Sequence, residues 1–321
     1  MKLGPLPRRW LFLTGAPRSG TTWLAKLLSG DPAVDYLHEP FNPDGGLPGF
    51  DTPFPVARGA ADLSATQLGS IRNLLAYRAS QRLIIYQVDS RSRRLAKALV
   101  GSRGQYQVRV SRFNYRRKAA IIKDPTGVFL TELLLTTFGI PGLVLVRHPY
   151  PVIESFLRLG LSAEPIIAAL PHLPRPARQL IAADADNSEG TRGNDIARLA
   201  FAWRIIYGYV TAVLEPLSPV HIARFEDYAA DPMRAETLSA QLSLPWSGRS
   251  VSRVTRYSRP SHPTVRQTRY GQQLWRNSAG LAKRIDGALP SPADRLVVDS
   301  VVAGVGRHFY PEPVFWESTD A

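Results

Sequence analysis

The chain has 321 residues, 44% of them hydrophobic, which is enough for one large α/β domain or two modest ones with a real core. Its formal net charge of +14 indicates an anionic partner, and the absence of cysteine excludes disulfides and thiolate metal sites. No stretch approaches the roughly 20 apolar residues of a membrane span. The apolar run near the N-terminus is only about five residues long before Gly15, shorter than the roughly 7–15 of a secretory signal, so we expect a soluble, cytoplasmic protein, and the lack of cysteine favours a bacterial one.

Short apolar runs rich in Val, Ile and Leu alternate along the chain with segments of helical period. The runs are continuous, as in strands that are buried on both faces. They are Trp10–Thr14, Val34–Leu37, Leu83–Val88, Ala119–Lys123, Leu143–Arg147 and Val220–Phe225. The helical segments are Trp23–Ser29, Gly127–Phe138, Pro151–Leu159, Asn194–Glu215 and Ala293–Phe309. This alternation predicts an α/β fold, a doubly wound parallel sheet flanked by helices, with ligands bound beyond the carboxyl ends of the strands.

The first predicted strand runs directly into a glycine-bounded loop, and a helix follows it. The loop and the helix start read Gly15-Ala16-Pro17-Arg18-Ser19-Gly20-Thr21-Thr22-Trp23. Such a P-loop-like segment directs backbone N–H groups and a helix N-terminus at an anion. It nearly fits the nucleotide-triphosphate pattern Gly-x4-Gly-Lys-[Ser/Thr], but Thr21 stands at the lysine position, and Arg18 supplies the positive charge instead.

Three further segments that follow strands carry unusual polar residues. One is His38-Glu39-Pro40-Phe41, and the next is Lys123-Asp124-Pro125-Thr126. The third runs from Arg147, at the end of a strand, to Ser155, on the first turns of the next helix. An arginine fork and a serine hydroxyl placed in this way can converge on one phosphate.

At this point the chain resembles the sulfotransferases that use 3′-phosphoadenosine 5′-phosphosulfate. Residues 17–23 resemble their 5′-phosphosulfate loop, and Arg147 with Ser155 resembles their 3′-phosphate site. Residues 224–228, followed by Asp231-Pro232, resemble the family's Tyr-Glu-Asp-Leu segment, with Phe225 in place of the tyrosine. Arg269-Tyr270-Gly271 and Trp275-Arg276-Asn277 resemble the late segment that closes over the cofactor, with a spacing one residue shorter. The resemblance spans residues 10 to about 280 in the family's order.

The resemblance implies an enzyme of the bacterial or carbohydrate-modifying branch of this family. Its donor is 3′-phosphoadenosine 5′-phosphosulfate, its product is 3′,5′-bisphosphoadenosine, and no metal is required. The residues implied to bind this cofactor are Pro17, Arg18, Ser19, Gly20, Thr21, Thr22, Trp23, Arg147, Ser155, Arg269, Tyr270 and Gly271. The acceptor is implied to be a hydroxyl or an amine of a glycan, a glycolipid or a secondary metabolite.

The catalytic candidates are Glu39, His38, Arg18 and Lys123. The Glu39-Pro40-Phe41 segment follows the family members that use glutamate as the base, so we expect Glu39 to take the proton and keep His38 as the alternative. On an extended segment the two side chains point in opposite directions, so only one faces the acceptor. Glu39 needs a partly desolvated site to be an effective base. Lys123 either bridges the transferred sulfonate or pairs with Asp124.

We expect a single sulfotransferase-like domain over residues 1–321, with a cofactor-binding core at 8–160 and 195–280. Segments 41–117 and 160–193 are then insertions on the acceptor side. Within them, 41–69 reads as irregular cover, and 164–176 and 182–193 read as a mobile lid or an acceptor-binding insertion.

Two other functions compete with sulfonate transfer. A P-loop nucleotide kinase fits the loop but lacks the lysine at position 21, and a non-catalytic binder of polyanions or nucleic acid rests on charge alone. We expect no specific nucleic-acid partner. The sequence leaves open whether the acceptor is acidic or membrane-associated, whether the protein is peripheral to a membrane surface, and whether it forms a homodimer.

Overall fold

The computed structural model describes residues 5–83, 92, 101, 103–183, 194–258, 266–267, 273–274 and 291–316. Five strands form one parallel sheet in the order β2-β3-β1-β4-β5. Their bounds are β1 Arg9–Gly15, β2 Val34–His38, β3 Ala119–Lys123, β4 Gly142–Val146 and β5 Val220–Arg224. The doubly wound α/β prediction is therefore confirmed, and five of the six predicted strands are present. Of the predicted strand Leu83–Val88, Leu83 is not in a strand and the remainder lies outside the described residues.

Twelve helices are present among the described residues. They are α1 Thr21–Leu28, α2 Ala65–Leu75, α3 Arg103–Ser111, α4 Thr131–Phe138, α5 Pro149–Leu159, α6 Glu164–Ile167, α7 Arg175–Ala183, α8 Asp195–Tyr209, α9 Phe225–Ala230, α10 Arg234–Gln241, α11 Gly248–Ser258 and α12 Pro292–Phe309. A short antiparallel pair, β6 Arg266–Gln267 and β7 Gln273–Leu274, completes the regular structure. Short 3₁₀ turns occur at Ala60–Asp62, Val128–Leu130, Leu170–His172 and Pro313–Phe315, and Val210–Leu214 continues α8 as a π-helical turn.

The helix ends follow the expected capping chemistry. Asn194 Oδ1 accepts hydrogen bonds from the N–H groups of Ile196 and Ala197 at the start of α8. The Ser291 hydroxyl accepts from the Asp294 N–H ahead of α12, with proline in the first turn. At the end of α4, Gly139 adopts the left-handed conformation (φ 63°) that favours glycine.

The chain divides into two compact units. The first comprises Met1–Thr14, Thr21–Leu143 and Ala235–Val254, and the second comprises Gly15–Gly20, Val144–Arg234 and Thr255–Ala321. In the first unit, strands β2 and β1 both pair with β3, so that Val34 and Arg9 lie opposite Ala119. Apolar side chains from these strands and from the loop after β2 belong to one buried cluster, in which the Phe41 ring packs against the rings of Phe12 and Phe50.

In the second unit, α8 is the core helix, and it packs against α12 and α7. Trp203, Tyr207 and Tyr209 on α8 are buried, as expected of core residues rather than of a substrate platform. Within the part of the chain that the structure describes, one helix is long and apolar enough to cross a membrane, Asp195–Leu214, and 72% of its apolar window is buried inside the protein. Such burial is typical of the core helix of a soluble protein.

The two predicted acceptor-side insertions are more regular than the sequence suggested. Helix α2 begins at Ala65, inside the segment expected to be irregular, because Ser64 and Gln67 form a reciprocal capping box. In the second insertion, residues 164–183 fold into α6, a 3₁₀ turn and α7. Prolines near the start of the first two of these elements hid the helical pattern, although proline is tolerated in a first turn. Residues 184–193 lie outside the described residues.

Candidate functional site

The glycine-bounded loop after β1 is held in a conformation that only glycine permits at its two ends. Gly15 has a φ of +145°, and a Cβ atom there would collide with the Leu145 carbonyl oxygen. Gly20 has a φ of +96°, and its Cβ would lie 2.5 Å from the Phe225 ring. Both contacts are far inside van der Waals distance, so a side chain at either position would displace the loop.

Two loop amides are already bonded within the protein. The Ala16 N–H donates to the Tyr207 hydroxyl at 3.2 Å, and that hydroxyl donates in turn to the Leu145 carbonyl at 3.0 Å. The Ser19 N–H donates to the Ala16 carbonyl at 3.1 Å and closes the turn. The expectation that the loop amides point at an anion therefore does not apply to Ala16 and Ser19 in this conformation.

Hydrogen bonds link the residues of the two predicted phosphate sites. Arg18 Nε donates to Ser155 Oγ at 2.9 Å, and Arg147 Nη1 donates to the Arg18 carbonyl at 3.0 Å. The Arg147 guanidinium also lies over the Phe225 ring, 4.5 Å from its centre, at cation–π distance. We call Arg18, Arg147 and Ser155 the cationic cluster; all three belong to the second unit.

The peptide group that joins Arg147 to His148 is fixed at both ends. Its carbonyl accepts from Trp203 Nε1 at 2.9 Å, and its N–H donates to Glu226 Oε1 at 3.1 Å. Glu226 Oε2 accepts from the Tyr310 hydroxyl at 2.6 Å. Burial raises the pKa of Glu226, whereas the Tyr310 hydrogen bond and the Arg147 charge oppose this rise. Since this network fixes the backbone of Arg147, Glu226 and Tyr310 position the cationic cluster.

His148 is a structural residue despite its place beside Arg147. Its ring is buried and packs among the rings of Tyr150, Tyr310 and Trp316, with centroids 4.6, 5.0 and 4.7 Å away. Burial lowers the pKa of His148 to about 3, and the charge of Arg147 adds to this effect. The ring is therefore neutral at pH 7.

Three of the catalytic candidates, Glu39, His38 and Lys123, lie together in the first unit, at the carboxyl ends of β2 and β3. Lys123 Nζ donates to Glu39 Oε1 at 2.6 Å, and Asn42 Nδ2 donates to Glu39 Oε2 at 3.1 Å. His38 Nε2 lies 3.9 Å from Glu39 Oε1, while His38 Nδ1 is 2.8 Å from the Tyr36 hydroxyl. Lys123 thus pairs with Glu39 rather than with Asp124.

The backbone at Glu39 is not extended, contrary to our expectation. Strand β2 ends at His38, and Glu39 has a φ of +45° while its N–H donates to the Lys123 carbonyl at 2.8 Å. This turn brings the adjacent His38 and Glu39 side chains to the same side, within 3.9 Å of each other. Alternation along a strand therefore does not decide which of them faces an acceptor.

The pKa of Glu39 is lowered, whereas we expected a partly desolvated site to raise it. Burial raises the pKa of Glu39, but the charges of Lys123 and His38 and the hydrogen bonds from Lys123 and Asn42 outweigh it and lower the pKa to about 2. Next to it, burial and the Glu39 charge raise the pKa of Asp124 to about 7, although Phe41 and Thr126 donate hydrogen bonds to its carboxylate. In this conformation Glu39 is an ion-paired carboxylate.

The remaining predicted residues occupy varied positions. Ser19 and Thr21 are buried, Pro17, Thr22 and Trp23 are half-buried, and α1 begins at Thr21. Arg269, Tyr270, Gly271 and Trp275 lie outside the described residues. Among the residues that the structure does describe, no three His, Asp or Glu side chains gather into a group able to hold a metal ion.

Sequence reasoning missed Asn42 and Tyr310. Asn42 follows Glu39 by three residues, and a turn prediction at Pro40 could have brought it into reach. Tyr310 lies 84 residues from its partner Glu226, in a segment beyond the predicted cofactor-binding core, and no local pattern signals the contact.

The chain is similar to several sulfotransferases of known structure, each at low identity. The sulfotransferase domain from the curacin biosynthetic pathway is 16% identical, with 92% of this chain and 98% of that chain covered and a TM-score of 0.45. The sulfotransferase domain of the Synechococcus PCC 7002 olefin synthase is 18% identical, with coverages of 96% and 98% and a TM-score of 0.46. Sulfotransferase STF9 from Mycobacterium avium is 16% identical, with coverages of 82% and 71% and a TM-score of 0.40.

The family itself follows from the sequence. The comparison with curated proteins gave no significant match. The model of the sulfotransferase family matches residues 11–248, a span of 238 of the 321 residues. The matched span begins in β1 and contains the glycine-bounded loop, the cationic cluster and Glu39, so the chain belongs to the sulfotransferase family.

Proposed function

We propose that the protein transfers a sulfonate group from 3′-phosphoadenosine 5′-phosphosulfate to a hydroxyl or amine acceptor. The acceptor is a glycan, a glycolipid or a secondary-metabolite alcohol, and the enzyme works in the cytoplasm. Beyond the family assignment, the proposal names the sulfonate donor, the side chains that bind it and Glu39 as the base. Bound donor supplies the sulfonate group and a bisphosphorylated leaving group.

The observation that carries the proposal is the contact between Arg18, Arg147 and Ser155. A 3′,5′-bisphosphorylated adenosine carries both of its phosphates on one ribose, so it needs its two cationic side chains close together, and here Arg147 donates to the Arg18 carbonyl while Arg18 donates to Ser155. The loop supports the same fit, because Gly15 and Gly20 hold it in its conformation directly before the N-terminus of α1. In this conformation Ser155 accepts its hydrogen bond from Arg18, so phosphate binding exchanges that bond for charge-assisted bonds to phosphate oxygens.

Arg18 holds the 5′-phosphate side, together with Thr21 and Thr22 at the start of α1. Its guanidinium and the helix N-terminus stabilise the negative charge that develops on the leaving phosphate. Arg147 and Ser155 hold the 3′-phosphate. Their role is to fix the donor in an in-line position, which in analogous phosphoryl transfers accounts for most of the catalysis.

Glu39 accepts the acceptor's proton as the acceptor oxygen attacks sulfur and the bond from sulfur to the phosphate oxygen breaks. A carboxylate with a pKa of about 2 is a weak base, and the ion pair with Lys123 contributes to that low value. We propose that Lys123 turns from Glu39 to a sulfonate oxygen when donor binds. Glu39 then loses the nearest positive charge while burial still raises its pKa, so its basicity increases when it is needed.

The test is calorimetric titration of the full chain with 3′,5′-bisphosphoadenosine in EDTA. Arg18→Asn and Arg147→Ala are the informative variants; asparagine is chosen at position 18 because it tolerates the positive φ of 71° there. Each should weaken binding by about 1.5–3 kcal/mol, the usual worth of a charge-assisted hydrogen bond. Arg158→Ala is the matched control, since Arg158 lies on the same helix as Ser155 and pairs with Glu154.

The competing functions give different results in the same titration. A kinase would bind ATP with Mg²⁺ in preference to bisphosphoadenosine. A polyanion binder would take up nucleic acid in a salt-dependent manner and show no preference for bisphosphoadenosine. Unchanged bisphosphoadenosine affinity in both arginine variants would rule out the assigned site.

A further inference from the structure

Helix α3 and the turn after it carry an exposed apolar stripe. Tyr106 and Val110 are spaced by four residues, so they lie on one side of the helix, and Phe113 and Tyr115 follow in the turn. The opposite side is buried through Gln105, Val108 and Ser111. Of the twelve large apolar side chains exposed among the described residues, these four fall within ten positions. Such clustering is not the scattered exposure of an ordinary surface.

Positive charge surrounds this stripe. Arg109, Arg116 and Lys118 are exposed and Arg112 is half-buried, whereas residues 103–118 contain no aspartate or glutamate. Arg116 also lines an open groove with Arg249, at the start of α11. Among the described residues that line this groove, the one carboxylate is that of Asp31, which accepts a hydrogen bond from the Ala33 N–H. We call Tyr106, Val110, Phe113 and Tyr115, with Arg109, Arg112, Arg116 and Lys118, the α3 face.

The segment is anchored, so the face has a defined orientation. Buried Arg117 pairs with Asp35 of β2 at 2.5 Å, and Asn114 Nδ2 donates to the same carboxylate at 2.7 Å. Gly104 packs against the carbonyl of His38, where a Cβ atom would lie 3.0 Å from that oxygen. The inner side of α3 is therefore fixed to β2, and its apolar and cationic outer side is the one presented outward.

We propose that the α3 face docks onto an anionic phospholipid membrane. Aromatic rings and an aliphatic side chain on one side of a basic helix are typical of segments that lie in the interface of a bilayer, where cations contact the lipid headgroups and rings enter the acyl boundary. Nucleic acid fits less well, because Val110 lies in the middle of the stripe and offers neither a ring for base stacking nor a group for phosphate. The docking does not depend on the donor or the reaction.

The experiment is vesicle co-sedimentation of the full chain without nucleotide. One set of vesicles is phosphatidylcholine alone, and the other contains phosphatidylserine in phosphatidylcholine. We expect binding to the anionic set and little to the neutral set, with loss of binding at high salt. Arg116→Glu with Lys118→Glu should weaken partitioning at least tenfold, since each cation near such a surface contributes about fivefold and reversal adds repulsion. Tyr106→Ser with Val110→Ser should also weaken it, at unchanged charge.

Matched controls change similar side chains elsewhere. Arg175→Glu with Arg234→Glu alters the same charge at exposed positions, and Leu296→Ser with Val314→Ser removes exposed apolar side chains. Both controls should bind like the unmodified protein. The proposal is overturned if the protein ignores anionic vesicles, if the controls lose binding as much as the α3-face variants, or if those variants lose binding to a single-stranded polynucleotide while vesicle binding stays intact.

Discussion

Tyr310 lies outside every sequence motif of this chain, yet its hydroxyl supports the arginine assigned to the 3′-phosphate. The substitution Tyr310→Phe removes only that hydroxyl and leaves a buried Glu226 oxygen without its 2.6 Å hydrogen bond. Glu226 then holds the His148 N–H less firmly, and the Arg147 peptide loses one of its two fixed ends. We expect the Arg147 guanidinium to sample orientations that do not meet a 3′-phosphate.

The size of the effect follows from the chemistry of the lost bond. A hydrogen bond to a charged group contributes about 1.5–3 kcal/mol, and this is the upper limit for the loss of affinity. We expect about 1.4 kcal/mol of this, a tenfold loss of affinity, to appear in nucleotide binding and the rest in a lower free energy of unfolding. The assay compares calorimetric binding of 3′,5′-bisphosphoadenosine with that of adenosine 5′-monophosphate, which lacks the 3′-phosphate.

The comparison separates positioning from general damage. Tyr310→Phe should weaken bisphosphoadenosine binding and leave adenosine 5′-monophosphate binding unchanged. Tyr150→Phe is the control, because the Tyr150 hydroxyl also donates to a carboxylate, that of Asp299 at 2.6 Å. The Tyr150 ring also packs on His148, as the Tyr310 ring does. Equal losses for both nucleotides, or equal losses in both tyrosine variants, would show that the Glu226 network does not aim Arg147.

Three other predictions concern Glu39 and the glycine-bounded loop. Glu39→Gln should spare bisphosphoadenosine affinity and lower turnover by about 10²–10⁴-fold, the usual contribution of a general base, in an assay that follows release of bisphosphoadenosine; if His38→Ala does this instead, His38 is the base. The pKa of Glu39 is about 2 in the folded protein against 4.5 for the free side chain. Its ion pair therefore stabilises the fold above pH 4.5, and this stabilisation is lost as the pH falls towards 2. Urea unfolding of Glu39→Gln should lack that part of the acid dependence. Gly15→Ala should lower the free energy of unfolding by about 1–3 kcal/mol or more through the clash at Leu145. Gly69→Ala, in open space on α2, is the control and should raise the free energy of unfolding by up to about 1 kcal/mol. A similar change in both variants would show that the loop does not require glycine at position 15.

The sequence predicted the sheet well because continuous Val, Ile and Leu runs leave little choice for a buried parallel strand. It also predicted α8 and α12, where an asparagine or a serine caps the first turn. It failed where local signals compete, as at α2, whose capping box lies inside a Pro- and Gly-rich stretch. The helical insertion at 164–183 was hidden in the same way by prolines that stand in first turns.

The candidate site was predictable in its residue types and less so in its geometry. The motifs placed Arg18, Arg147 and Ser155 after strands, but only the fold shows that Arg18 reaches Ser155 directly. The positive φ of Glu39 could not be read from a segment that resembles a strand end, and it decides how His38 and Glu39 share one side. The support from Tyr310 depends on a long-range contact that no window of sequence contains.

The central claim is that the cationic cluster binds both phosphates of one adenosine nucleotide. A crystal structure of the full chain with 3′,5′-bisphosphoadenosine tests it most directly. We predict the 3′-phosphate within hydrogen-bonding distance of Arg147 and Ser155, and the 5′-phosphate at the loop beside Arg18. A nucleotide bound away from these three side chains, or with only one phosphate contacting them, would contradict the account.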